Sequence, residues 1–449
     1  MNRRTLTLIT LAMLGLSAMA QTNAGTWTLQ DCINYALQNN IQLKRQQAAT
    51  QSALVSVSEA KAAYLPSLSA SVSQALTYRP YQESMGNFVN GGITSSSGNK
   101  TTQSGSYGIN ASWSVWNGGK RPLTLKSNKK GAEIAELQEQ TVANSIQEQI
   151  TGYYVQLLYM QEAERVNTEL YSQDSIVYER GKELLRQGQI SKADLAQLEA
   201  QVSGAKYDIV NVRTQIANAR KALEQLLELE PGTSISIAAV PVADQQVLAA
   251  LPSRDDAYMA ALTSRPEIRG GELGIEQSEI QTSIAKRGSL PSISLSAGVG
   301  DSHMTGGQND FWKQMKTNLN VNGGLTVSVL IFDNRQTKSA VERAKINEET
   351  ARLELADTKR QLYNSVTGYW LDATNAQEKF VAGQANVGSA QQSYDMMQEQ
   401  FRMGLKNIQE LLSSRASLLS ARQSLLQDKY TAVLNRTMLE FYTGKEIRI

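Results

Sequence analysis

Residues 65–78 read LPSLSASVSQALTY, and residues 290–299 read LPSISLSAGV. Each opens on Leu-Pro-Ser and continues with apolar residues alternating with Ser. In the first, Leu68, Ala70, Val72, Leu76 and Tyr78 alternate with Ser67, Ser69, Ser71, Ser73 and Thr77. That period of two specifies a strand with one apolar face. A second strand follows in each place. Tyr107, Ile109, Ala111, Trp113 and Val115 share one face, with Gly108, Asn110, Ser112 and Ser114 on the other. The later pair is Ile293, Leu295, Ala297 and Val299, then Val321, Leu325, Val327, Val329 and Ile331. Strands of roughly ten residues with one apolar face and aromatics near their ends suit a transmembrane β-barrel. They suit a soluble sandwich as well, and the strands alone do not choose.

Working outward, the whole chain is written twice. At an offset of 225, Asp31, Ala36-Leu37, Ala60-Lys61 and Leu65-Pro66-Ser67 meet Asp256, Ala261-Leu262, Ala285-Lys286 and Leu290-Pro291-Ser292. At an offset of 216, Trp116-Asn117 meets Phe332-Asp333 and Thr151-Gly152-Tyr153 meets Thr367-Gly368-Tyr369. Arg186, Gly188 and Leu195 likewise meet Arg402, Gly404 and Leu411. The first copy therefore carries nine extra residues between Pro66 and Trp116, and Gly91 to Gly98 has the loop composition to absorb them. The expected organisation is a signal segment at 1–20, a first repeat at 21–230, a linker at 231–252 and a second repeat at 253–449.

Each repeat begins with a helix, expected at 28–63 and 253–288. No proline falls between Pro122 and Pro231 or after Pro291, so long helices run unbroken. The stretch 122–188 makes 67 positions, about 100 Å at 1.5 Å per residue. Its return arm carries Leu195, Leu198, Val202, Ala205, Ile209, Val212, Ile216, Ala219, Leu223 and Leu226 in 3-4 alternation, a coiled-coil seam. The later arm doubles that seam with Leu411-Leu412, Leu418-Leu419 and Leu425-Leu426. A stripe this wide suits a helix with neighbours on two sides, as in a wall of helices. The length arithmetic places two shorter helices alongside each long one, with Gly188 and Gly404 in tight turns at one extremity and the strands at the other.

Composition removes other classes. The 449 residues hold one Cys, one His and 8 Pro, with 44 Lys plus Arg against 42 Asp plus Glu. No internal disulfide and no His pair for zinc is available, and no basic surplus points to nucleic acid. Walker, GxSxG and HExxH signatures are absent, so no catalytic residue and no cofactor is expected. Arg3-Arg4, the apolar run from Leu6 to Leu16 and Ala18-Met19-Ala20 form a secretory signal cut before Gln21. No Cys stands at the cut, so Sec export without a lipid anchor is expected. His303 reads as an exposed hairpin residue, Cys32 as a small packed one, and Trp113, Trp116, Trp312 and Phe332 as a membrane-interface girdle.

Only four strands are found, and unpaired sheet edges do not survive in hydrocarbon. One chain cannot close a barrel, because about eight strands is the minimum. Two copies would supply eight strands and three would supply twelve.

The residues resemble the TolC-like outer-membrane efflux family over nearly the whole mature chain. The resemblance rests on Trp27-Thr28-Leu29 with Ala36-Leu37, on Ala62-Ala63-Tyr64-Leu65-Pro66, and on the strand ends Val115-Trp116-Asn117-Gly118-Gly119 and Ile331-Phe332-Asp333-Asn334-Arg335. It rests also on the turns Arg186-Gln187-Gly188-Gln189-Ile190-Ser191 and Phe401-Arg402-Met403-Gly404-Leu405-Lys406-Asn407. It implies a mostly α fold: a coiled-coil α-helical barrel forming a periplasmic tunnel, with a transmembrane β-barrel of four strands per chain, in a homotrimer. It implies the outer-membrane channel of a tripartite efflux or type I secretion system, seated in outer-membrane lipid and partnered by a periplasmic adaptor and an inner-membrane pump. Carried over from the family, the pore constriction falls on Phe401, Lys406, Glu410 and Asp194, and the adaptor-contacting tip on Arg186, Gly188, Ser191, Arg402, Gly404 and Asn407. Where many relatives carry a second acid beyond the first, Ser413 stands here. The rival reading is a coiled-coil adaptor or envelope tether that transports nothing.

Overall fold

A computed structural model describes residues 26–81, 86–89, 92–95, 100–238, 241–305 and 310–449. The expected signal segment lies outside the described residues.

In chain order the elements are β1 (Thr26–Trp27), α1 (Leu29–Asn39), α2 (Ile41–Ala62), β2 (Ser67–Tyr78), β3 (Gly86–Val89), β4 (Gly92–Ser95), β5 (Thr101–Asn117), α3 (Lys120–Arg186) and α4 (Lys192–Leu226). There follow β6 (Ser236–Ile237), α5 (Asp244–Val247), α6 (Arg254–Ser264), α7 (Pro266–Lys286), β7 (Ser292–Met304), α8 (Phe311–Thr317), β8 (Asn320–Ser328), α9 (Gln336–Arg402) and α10 (Ile408–Tyr442). The two long helices have 67 residues each and their return arms 35 each. Equal lengths keep the two hairpins in matching register along their seams.

Two expected helices are each split. The first breaks at Asn40, whose side-chain carbonyl accepts from the Gln42 and Leu43 amides and so starts α2 as a cap does. The other breaks at Arg265, because Pro266 opens α7 and forces the residue before it out of helical geometry; Arg265 has φ −83 and ψ 124. Part of the Gly91–Gly98 stretch expected as loop forms the β3–β4 hairpin. The strand expected at 107–115 begins at Thr101.

The contacts divide the chain into two units. The first comprises residues up to Ala48, Glu136–Gly270 and Leu355–Ile449. Its larger core gathers Cys32, Ile33, Ile150, Tyr154, Leu157, Leu223, Leu227 and Phe380 among others, all nearly inaccessible. Residues 231–252, expected as a linker, send Ile235, Ile237, Val242 and Val247 into that core, and β6 pairs in parallel with β1. Cys32 is fully buried, and burial pushes its thiol up to about 12. At pH 8 the folded protein is therefore expected to resist a maleimide, since the thiolate is the reactive form. Labelling as fast as a free thiol before unfolding would contradict that packing.

The second unit comprises Ala49–Ala135 and Gly271–Glu354. Its antiparallel sheet has the order β2-β5-β7-β8, so the last strand of the first copy pairs with the first strand of the second. Leu68 stands opposite Ala111, and Ala111 opposite Ala297, which keeps the apolar residues of all strands on one face. That face is uncovered: Leu68, Val72 and Val321 are each more than 70% exposed. A contiguous apolar face of this kind needs an apolar solvent or a partner.

Candidate functional site

The two helical turns are built alike. In the first, the Gly188 amide donates to the Leu185 carbonyl and the Gln189 amide to the Leu184 carbonyl. In the second, Gly404 donates to Phe401 and Leu405 to Gln400. This paired closure is the Schellman arrangement, which needs a left-handed residue; Gly188 has φ 71 and Gly404 φ 73. Each next helix opens with a capping box. The Asp194 amide donates to Ser191 Oγ while the Ser191 amide donates to the Asp194 carboxylate; Asn407 and Glu410 repeat the exchange.

The expected constriction residues thus have structural duties in the chain itself. Glu410 accepts from Lys406 Nζ at 2.6 Å, and that bond, with the Asn407 amide, holds its carboxyl below the usual carboxylate range. The stabilisation is present above the ordinary value of 4.5 and is lost as pH falls through the lowered one. Phe401 is buried, in a cluster with Leu170, Tyr394, Leu411 and Leu418. Arg186 and Arg402 are exposed and pair within their own helices with Glu183 and Glu399.

One constellation in this region was missed. Asp174 on α3 accepts from Arg415 on α10 at 3.2 and 2.7 Å and from Gln201 on α4 at 3.2 Å. Both charged side chains are almost fully buried, and burial raises the Asp174 carboxyl above its ordinary value despite the adjacent guanidinium. A signal was present. Asp174 sits four after Leu170 and three before Val177, and Arg415 four after Leu411 and three before Leu418, so each occupies an apolar seam position.

Elsewhere in the same unit Arg265 is buried, donating to Glu148 and Glu267, each at 2.9 Å, with its guanidinium 4.1 Å from the Tyr442 ring centre. Tyr442 also donates to Glu148, at 3.3 Å.

At the sheet, Trp113, Trp116 and Phe332 are exposed near one end of the strands, and Trp312 lies on α8 beyond β7. Trp113 Nε1 donates to the Tyr64 carbonyl at 3.0 Å, fixing one ring of the expected girdle. His303 corrects the sequence expectation. It belongs to β7, is 9% exposed, stacks on Tyr107 and meets Phe311 edge-on. Its ring occupies the space a side chain at Gly105 would fill. Among the described residues no helix is long and apolar enough to cross a membrane and no group of side chains is arranged to hold a metal ion.

A family profile described as outer membrane efflux protein matches residues 32–228 and 257–445. No curated protein matches in sequence. Among solved structures, CusC superposes with a TM-score of 0.76 at 19% identity, covering 93% of this chain and 92% of that one. The Campylobacter jejuni CmeC outer membrane channel gives 0.75 at 19%, covering 93% and 86%. The Vibrio cholerae outer membrane protein VceC gives 0.76 at 15%, covering 94% and 97%. At these identities the likeness is one of fold.

Proposed function

Because this chain belongs to the outer membrane efflux protein family, we propose that three copies of it join edge to edge into one barrel, their long helices forming a conduit. The protein is an outer-membrane efflux channel and not an enzyme. The carrying observation is the four-stranded sheet, whose end strands β2 and β8 each pair with one neighbour and have no strand on their outer edge among the described residues, and whose apolar face is uncovered. Unpaired backbone groups cost several kcal/mol each in hydrocarbon, so joining β8 of one copy to β2 of the next pairs both open edges and leaves the apolar face to meet lipid. Three copies supply twelve strands, enough to enclose water.

Solutes would pass down the conduit passively, delivered by an inner-membrane pump through a periplasmic adaptor that grips the turns at Arg186, Gly188 and Ser191 and at Arg402, Gly404 and Asn407. These turns suit docking because Schellman closure and capping box fix their backbones before a partner arrives. Lys406, Glu410 and Asp194 would narrow the conduit, with Phe401 bracing the Glu410 turn from beneath. The Glu410 carboxylates, repeated around the axis, would favour cations, and the contacts of Glu410 would lock the closed state.

The test is sedimentation of the signal-cleaved chain with and without detergent, followed by single-channel recording. Detergent-dependent trimers that conduct are expected, with Glu410→Ala opening more readily and preferring cations less. A detergent-free soluble monomer would sink the assembly, and unaltered closure and selectivity in Glu410→Ala would remove that residue from the gate.

A further inference from the structure

The chain has no acidic residue between Glu83 and Glu133, yet residues 118–131 hold Lys120, Arg121, Lys126, Lys129 and Lys130. Residues 280–300 likewise hold Lys286 and Arg287 and no acid. The cleaved protein is otherwise balanced, with 42 cations against 42 anions once Arg3 and Arg4 are removed. The surplus is therefore local, at the helix ends that adjoin the sheet.

Some of these cations are satisfied inside the protein. Lys130 pairs with Glu133 and Glu276, and Arg121 donates to the Ser114 carbonyl and lies over the Tyr64 ring. Lys120, Lys126, Lys129 and Arg343 have no ion-pair partner among the described residues. Lys120 and Arg343 line one cavity of about 710 Å³ together with Arg335, which is itself paired to Glu342 at 3.2 Å, and with one acid, Asp333, whose carboxylate accepts from the Thr337 amide at 2.7 Å.

The cavity opens where β8 gives way to α9. Leu330 lines it, and Ile331 and Phe332 beside it are 95% and 80% exposed. Lys120 lies four residues past Trp116 and Arg335 three past Phe332. At about 1.5–3.3 Å per residue the charges sit within roughly 13 Å of the aromatic level. That is where lipid phosphates lie beyond an aromatic belt.

We propose that the ends of α3 and α9 beside the sheet form a cationic collar that binds the headgroup phosphate of anionic membrane lipids, with the exposed apolar strand end taking the acyl chains. The proposal rests on the outer-membrane channel reading. Guanidinium and ammonium groups in one cavity suit a phosphate monoanion, and the adjoining apolar strip distinguishes a lipid from a free anion.

The full chain, delipidated in a neutral detergent, is titrated with phosphatidylglycerol or with phosphatidylcholine of the same acyl chains, and bound lipid is counted by native mass spectrometry. At least a tenfold preference for phosphatidylglycerol is expected. At about fivefold per cation, the triple variant Lys120→Gln, Arg335→Gln, Arg343→Gln loses roughly a hundredfold in affinity. Arg343→Gln alone, on an exposed helical position, loses about fivefold and serves if the triple variant does not fold. Equal binding of the two lipids, an unchanged preference in the variants, or displacement by millimolar inorganic phosphate overturns the proposal. So does a triple variant whose lipid preference survives while its anion-to-cation conductance ratio shifts, since the cations would then line the water path. A wild-type protein that does not conduct would count against the channel reading, which the lipid count leaves untouched.

Discussion

Arg415→Ala is expected to lower the unfolding free energy by about 3–5 kcal/mol, the cost of leaving a buried charge without its partner. Asp174 accepts both guanidinium bonds and its remaining contact is Gln201, so no water-facing group can replace the arginine. The loss should appear as a fall in denaturant midpoint with an unchanged slope. The double variant Asp174→Leu, Arg415→Met removes both charges and is expected to lie near wild type, because the desolvation cost disappears with them. The pH dependence has a definite sign. A carboxyl raised in the folded state binds its proton before the unfolded chain does, so stability falls as pH rises through that window and recovers as pH drops. Wild type should therefore gain on the double variant in acid. An Arg415→Ala protein within about 1 kcal/mol of wild type would mean that the pair does not hold the two hairpins together.

Arg265→Ala is expected to cost a similar amount, about 3–5 kcal/mol, through a different geometry. One guanidinium serves two carboxylates, Glu148 and Glu267, and stacks on Tyr442 near the end of α10. Without it those carboxylates face each other in a half-buried site, and the Tyr442 phenol, already pushed up by burial and by Glu148, loses the charge that moderates it. Arg265→Lys should recover only part of the loss, since a point charge cannot span both acids and also stack. Hydrogen exchange at residues 436–442 would localise the effect. Equal protection in the Lys and Arg proteins would show that the fork geometry contributes nothing.

The two clusters differ in how legible they were. Asp174 and Arg415 interrupt apolar seams, so the 3-4 pattern that located the coiled coil also marks them as polar residues in buried positions. Nothing marks their pairing, because they stand 241 residues apart in sequence. Arg265 carried no signal beyond the proline after it. His303 was misread for a related reason. Its burial depends on a glycine on the neighbouring strand, Gly105, and on Phe311 of a short helix, and local composition encodes neither.

What the sequence determined by itself is periodic or punctuated. The strands, the 67-residue helices and the glycine turns each follow from local backbone preference and the spacing of apolar side chains, which a single stretch carries whole. Only the tertiary structure decided which strand of one copy lies beside which strand of the other. It also showed that Ile235, Ile237, Val242 and Val247 enter a core. Those facts depend on groups far apart in the chain meeting in three dimensions, where burial and pairing, rather than propensity, set the energy.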